Sequence, residues 1–257
     1  MELPTTRQEV KDYNPALIVL FGRPKCGKST LAASLDDNLV LDLEDGYRSL
    51  PVMRVNIKNA KDLLECKKAI HAKAKELRKK PYRFITIDNV TRLEEMILPV
   101  AAERYRATPQ GADWKSHIDE KTGQRVYEKN PDIRELPMGR GYGYIRDLVQ
   151  EFINMFRPYC QTLILVAHQK EKQINKDAEE ITEVSVDLPG KLANIVCGMA
   201  DAIGLVYRRE NKTYISFKGG DDILKEARPL HLRGKKFCVA ESDENNVIKC
   251  DLSQIFI

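Results

Sequence analysis

The sequence lacks any apolar run long enough to cross a bilayer. Its cleanest runs, such as Ala16–Phe21, extend only six residues, whereas a span needs roughly 20. A transmembrane helix is therefore excluded and no membrane partner is expected. The polar, mixed-charge start MELPTTRQEVKDYN has no apolar segment of the kind a secretory leader requires. Six cysteines, at 26, 66, 160, 197, 238 and 250, form no CxxC pair and no zinc spacing. A chain of 257 residues needs no disulfide staples, so free thiols in the cytoplasm are expected. Charge of one sign is scarce too. Forty-two Lys and Arg oppose 38 Asp and Glu, a net of +4 that does not by itself indicate nucleic acid. There is no internal repeat and no low-complexity tract. At 42% hydrophobic and 31% charged, the chain can still bury a core, which excludes wholesale disorder.

What is present alternates. Residues 1–15 read as an N-terminal arm ending at Asn14-Pro15. Continuous apolar runs at 16–21, 38–43, 83–88 and 162–167 read as strands buried on both faces, with a shorter strand at 53–57. Helical spacing runs over 59–79, with Leu63, Leu64, Ile70 and Leu77 on the apolar side, and over 90–106, 144–157 and 192–199. Residues 109–138 are polar and aperiodic and read as an insertion or mobile loop, and 170–187 read as a second mobile loop. Residues 212–218 and 229–239 suggest a terminal antiparallel hairpin. The fold class is α/β, with a mainly parallel central sheet flanked by helices. One domain is expected over 16–240, followed by a C-terminal tail at 241–257.

Gly22-Arg23-Pro24-Lys25-Cys26-Gly27-Lys28-Ser29 matches G-x-x-x-x-G-K-[ST] without a mismatch. A buried strand precedes it and a helix follows. Glycines allow backbone N–H groups to turn around phosphates, and the helix N-terminus adds partial positive charge. Lys28 is expected on the β/γ-phosphates of ATP and the Ser29 hydroxyl on Mg²⁺. Thr30 closes the first turn. Arg23 stands where partition-type ATPases carry a second signature lysine, which sets that class aside.

A metal–phosphate site wants a carboxylate at the end of a nearby strand. Phe84-Ile-Thr-Ile-Asp88 supplies one, acting on Mg²⁺ through water; the plain alternative is that Asp88 caps the next helix. The following residue is Asn89, so a water-orienting base must come from elsewhere. Asp42 and Glu44 at the end of the second strand offer it, with Glu44 favoured over an acidic turn. The strand at 162–167 ends in His168-Gln169, polar groups able to sense a γ-phosphate, although His168 serves equally as a structural histidine.

This order of features resembles the RecA-type P-loop ATPase core. More narrowly, GRPKCGKSTLAA, VLDLEDG and LVAHQ resemble compact phage RecA-like ATPases, the AAA-domain nucleotide-binding proteins associated with single-strand annealing recombination. The resemblance covers about residues 16–235. It implies a RecA-like core with a C-terminal antiparallel hairpin, Glu44 as catalytic glutamate, and Gln169 as the link from γ-phosphate to a DNA-binding loop. It also implies ring or filament homo-oligomers with ATP between subunits, and trans-acting cations from a late hairpin. Lys218, Lys225 and Arg228 are the residues placed for that role, an ordinary charged turn being the alternative. Single-stranded DNA and a single-strand binding protein are the implied partners.

Local charge qualifies the DNA reading. Residues 58–83 carry a net of +7 and 207–236 a net of +5, whereas 170–187 carry −3. The better stacking candidates are Trp114, Tyr127, Tyr142 and Tyr144. Other activities on the same core are a helicase or packaging motor, a small-molecule kinase, or a nucleotide-gated scaffold without turnover.

Overall fold

The computed structural model describes residue 5 and residues 11–176, 179–220 and 223–257, with backbone alone at 174–176 and 179–181. Most of the expected arm, at 1–4 and 6–10, lies outside the described residues. So do 177–178 of the second expected loop and 221–222 of the expected cation segment. In chain order the elements are β1 (Leu17–Gly22), α1 (Lys28–Ala33), β2 (Asn38–Asp42), β3 (Met53–Asn56), α2 (Ala60–Leu77), β4 (Tyr82–Asp88) and α3 (Val90–Arg106). Then come β5 (Ser116–Ile118), β6 (Arg125–Tyr127), α4 (Gly141–Asn154), β7 (Cys160–Lys176), β8 (Glu179–Val186), α5 (Leu192–Met199), β9 (Ala202–Arg209), β10 (Lys212–Ser216), β11 (Glu226–Ala227), β12 (Lys236–Ser242) and β13 (Ile248–Cys250).

The main sheet runs β13-β12-β10-β9-β1-β7-β4-β2-β3. Its β9-β1-β7-β4-β2-β3 part is parallel, and β10, β12 and β13 extend it antiparallel. This is the α/β class expected, a mainly parallel central sheet with C-terminal antiparallel strands, the second strand of the hairpin lying at Lys236–Ser242 rather than at 229–239. Strand alternation explains the two cores. Leu17, Val19 and Phe21 of β1 face one cluster with α3, α4 and α5, while Ile18 and Leu20 face another with Leu31 of α1. Helix α1 has no side-chain cap. Its end is fixed instead by Asn38, whose Nδ2 donates to Ala32 O at 2.7 Å while its Oδ1 accepts from the Thr86 hydroxyl at 3.0 Å.

Four expectations change. Among the described residues, 170–176 and 179–186 are strand rather than loop: β7 runs on past the sheet and pairs antiparallel with β8, Gln169 opposite Val186 and Lys172 opposite Glu183. The alternating Thr182, Val184 and Val186 carried that period, with Glu183 and Ser185 between them. Residues 109–138 hold the small hairpin β5–β6. Its base is clamped by Arg106, whose guanidinium donates to the carbonyls of Trp114, Lys115 and Glu128 at 3.3, 3.1 and 3.1 Å. Trp114 packs edge-on to Tyr105, so it anchors this segment to the core. Residues 241–257 are not a free tail. Ile255 and Phe256 are buried against Phe84, and the Ile257 N–H donates to Asn14 Oδ1 at 2.8 Å. On α2 the inner stripe is Leu63, Cys66 and Ile70, and Leu64 and Leu77 are exposed. No helix among the described residues is long and apolar enough to cross a membrane.

Candidate functional site

The sheet register gathers the motifs. Gly22 pairs with His168, Val166 with Asp88, and Asp88 with Asp42. Residues far apart in sequence thus meet at the C-terminal ends of neighbouring parallel strands. Between β1 and α1 the loop turns through Lys25 at φ 62 and Gly27 at φ 102, the second a conformation that L residues rarely adopt. Gly22 is required for a different reason: a Cβ there would sit 2.1 Å from the Val206 carbonyl of β9.

Pro24, Lys25, Gly27, Lys28, Ser29 and Thr30 line a cavity of about 530 Å³. Cys26 turns inward and joins the core beside α1. Arg23 turns outward to Glu171, 2.6 Å away. Lys28 is buried, and its Nζ donates to Gly22 O and Arg23 O, both at 2.8 Å. The ammonium so pins the loop around itself.

Asp88 is buried across the cavity. Its Oδ2 accepts from Ser29 Oγ at 2.8 Å and from Tyr47 Oη at 2.6 Å. Burial raises the carboxyl above the ordinary carboxylate value; the two hydroxyls and Lys28 draw it back, and Glu44 pushes it further up. Burial, then the Asp88 charge, drives the Tyr47 phenol upward. Helix α3 is capped not by Asp88 but by Asn89, whose Oδ1 accepts from Arg92 N at 2.8 Å. Asp88 is thereby left to the cavity.

Asp42 and Glu44 have different surroundings. Asp42 is buried, and its oxygens accept from the backbone of Glu44, Gly46 and Tyr47 at 3.0 to 3.3 Å and from Arg54 at 3.0 Å. It shapes the turn that follows β2. Glu44 is half-exposed and lines the cavity, with Oε1 3.5 Å from His168 Nε2. Asn89 Nδ2 lies 2.9 Å from the same nitrogen, and His168 Nδ1 is buried without a partner among the described residues.

Gln169 is not among the cavity-lining residues. One position past His168 on an extended strand it faces the other way, and Nε2 donates to Glu171 Oε1 at 2.7 Å. Arg23 and Gln169 thus share one carboxylate. The three late cations do not line the cavity either. Lys218 is exposed and Lys225 half-buried, while Arg228 pairs with Asp201 at 3.3 Å and donates to Gly198 O. The sequence reading missed Tyr47, Arg54 and Glu171, which carry no motif, and the far wall formed by Arg208, Asn211, Thr213, Glu241, Ser242 and Ile248.

A hydroxyl and a carboxylate facing one phosphate loop form an oxygen-only pair, the donor type that Mg²⁺ takes. The residues present therefore fit that ion.

No curated protein matches the chain at a significant level. Among solved structures it is similar to the RadB recombinase, at 11% identity and a TM-score of 0.44 over 93% of this chain and 92% of that one. It is also similar to a KaiC-like protein from Pyrococcus horikoshii OT3, at 12% identity and a TM-score of 0.41 over 93% and 91%. A family model described as AAA domain matches residues 14–235, taking in the phosphate loop, Glu44, Asp88 and the His168–Gln169 strand end, so the chain belongs to the AAA domain family of P-loop ATPases.

Proposed function

We propose that the protein binds ATP with Mg²⁺ in the 530 Å³ cavity, hydrolyses it, and acts as a homo-oligomer on single-stranded DNA in recombination or annealing of the phage type. One observation carries the nucleotide part: the Ser29–Asp88 contact of 2.8 Å beside a buried Lys28 on a glycine-gated loop. A triphosphate exchanges its oxygens for the loop carbonyls that now hold the Lys28 ammonium. Ser29 and, through water, Asp88 would hold Mg²⁺, which would supply positive charge against the phosphate oxygens. Glu44, which lines the cavity, orients the water that attacks the γ-phosphorus. Arg23 of the phosphate loop carries the loss of the γ-phosphate to the β7–β8 hairpin through Glu171, the carboxylate that Gln169 also holds.

The DNA part rests on the resemblance and on the stretch 138–144. Met138 is 93% exposed and Tyr142 37%, beside a 380 Å³ cleft flanked by Arg146 and Lys191. Apolar and aromatic surface next to cations suits stacked bases on a phosphate chain. The single-strand binding protein and the trans-acting roles of Lys218, Lys225 and Arg228 belong to the same reading of an oligomer on DNA.

The test is the ATPase rate with and without single-stranded DNA, with particle mass followed by light scattering. The expected result is slow turnover alone, and faster turnover together with larger particles on DNA. Glu44→Gln should retain ATP and lose on the order of 100-fold or more in turnover. Normal turnover in that variant removes Glu44 from the mechanism, and turnover indifferent to DNA removes the DNA part.

A further inference from the structure

The cavity has a second end that a triphosphate does not fill. From Lys28 and Ser29 it continues away from Asp88, past Thr213, to Asn211, Glu241, Ser242 and Ile248. With the terminal phosphate at the carboxylate end, the sugar and base extend toward this far wall, which the antiparallel strands β10, β12 and β13 supply.

One corner of this wall, at Asn211 and Glu241, presents acceptors, while Arg208 and the Thr213 and Ser242 hydroxyls bring donors to the rest of it. Asn211 Nδ2 donates to Ser242 O at 3.1 Å and to Glu241 Oε1 at 3.3 Å, while Ser242 N donates to Asn211 O at 2.8 Å. An amide nitrogen has two hydrogens, and both are engaged. What Asn211 has left to offer is its carbonyl oxygen, an acceptor. The neighbouring Glu241 carboxylate is another, its charge balanced by Lys212 at 3.5 Å. Beside them Ile248, 43% exposed, presents an apolar side chain to the cavity. A flat ring lying against Ile248 with an amine on its edge would satisfy such a wall.

We propose that this wall is a base subsite, and that Asn211 and Glu241 select a purine nucleoside triphosphate carrying an exocyclic amine. Inosine triphosphate carries a carbonyl oxygen where ATP has its amine, and so places an oxygen against a carboxylate. This inference rests on the nucleotide reading of the phosphate loop and adds to it the basis of base selection.

Calorimetric titration of the full chain in Mg²⁺ with ATP, GTP, inosine triphosphate and inorganic tripolyphosphate tests it. Wild type should bind an amine-bearing nucleotide about tenfold more tightly than inosine triphosphate, and the ATP and GTP arms tell a 6-amino from a 2-amino group. Glu241→Ala and Asn211→Ala should bring that nucleotide down to the inosine level without changing tripolyphosphate binding. Ile248→Ser should weaken ATP and inosine triphosphate together and spare tripolyphosphate. Asn211 also ties a turn, so if its variant melts early, Glu241→Ala at an exposed position decides. Equal binding of all three nucleotides by wild type, or a loss of tripolyphosphate binding in Glu241→Ala matching the loss of ATP binding, overturns the base subsite alone. Failure of wild type to bind either tripolyphosphate or any nucleotide overturns the phosphate-loop reading with it.

Discussion

The two walls of the cavity are built on different principles. The phosphate wall rests on β1, β2, β4 and β7, parallel strands; β1 and β2 are buried along their whole length. The far wall rests on antiparallel strands: β12, in which buried and exposed positions mix, and β13, which has no buried position. A strand buried on both faces fixes its end to within the tolerance of the core, so Gly22, Asp42, Asp88 and His168 are set by packing. A strand with a solvated face can change an exposed side chain without disturbing the interior. The contrast teaches that charge stabilisation, which demands fixed geometry, and base selection, which has to vary, reside in separate parts of one sheet.

The largest expected effect breaks the comparison at its stronger end. Lys28→Ala should abolish binding of ATP and tripolyphosphate alike and lower any hydrolysis by on the order of 100-fold or more. Far-wall variants should leave tripolyphosphate untouched. If Lys28→Ala still binds tripolyphosphate normally in calorimetry, the two walls do not divide the work as stated. A smaller effect comes from Tyr47→Phe. The phenol donates to Asp88 at 2.6 Å and so favours the ionised carboxylate. Without it the carboxyl rises further above its ordinary value, and the acid limb of the pH–rate profile should move to higher pH. Loss of a buried hydrogen bond to a charged group costs about 1–3 kcal/mol in stability, read by denaturant unfolding. An unmoved acid limb would show that Asp88 does not govern activity through its charge.

How much of this was legible follows from the same contrast. The phosphate loop was readable because its spacing is fixed by the chemistry of a phosphate chain. The buried strands were readable because a doubly covered strand must be apolar throughout. Helix α3 matched its expected limits at Val90–Arg106, since Asn89 before it is a strong cap. Asp42 and Glu44 shared a pattern that did not reveal which would turn inward. The turn after β2 decides it, as Asp42 binds three backbone N–H groups. Tyr47 was hidden because its partner lies 41 residues away. The β7–β8 hairpin was hidden because its facing residues mix polar, charged and apolar types, Gln169 opposite Val186 and Lys172 opposite Glu183, and composition alone reads that as loop. The far wall lacks any motif, because its shape depends on the register of β10 with β12, including the shift between Thr213 and Tyr214.

The smallest expected effect lies on the rim of the phosphate wall. Asp45 follows Glu44 and accepts from Arg48 and from Arg54, the latter at 3.0 Å. Arg48 first, then Arg54, draw its carboxyl down from 3.8 to about 2. A folded-state value below the unfolded one means stability that is fully present above the unfolded value and lost as the pH falls through about 2. Solvent screens this pair, so the contribution is slight. Asp45→Asn is the right probe because φ at this position is 58, a conformation that Asn tolerates and most residues do not. The variant should melt slightly below wild type at pH 7, and the gap should narrow as the pH falls from 3.8 through about 2, where folded wild-type Asp45 takes up its proton. A gap that stayed constant with pH would assign the loss to turn geometry rather than charge, and Arg54 would then hold the wall through buried Asp42 alone.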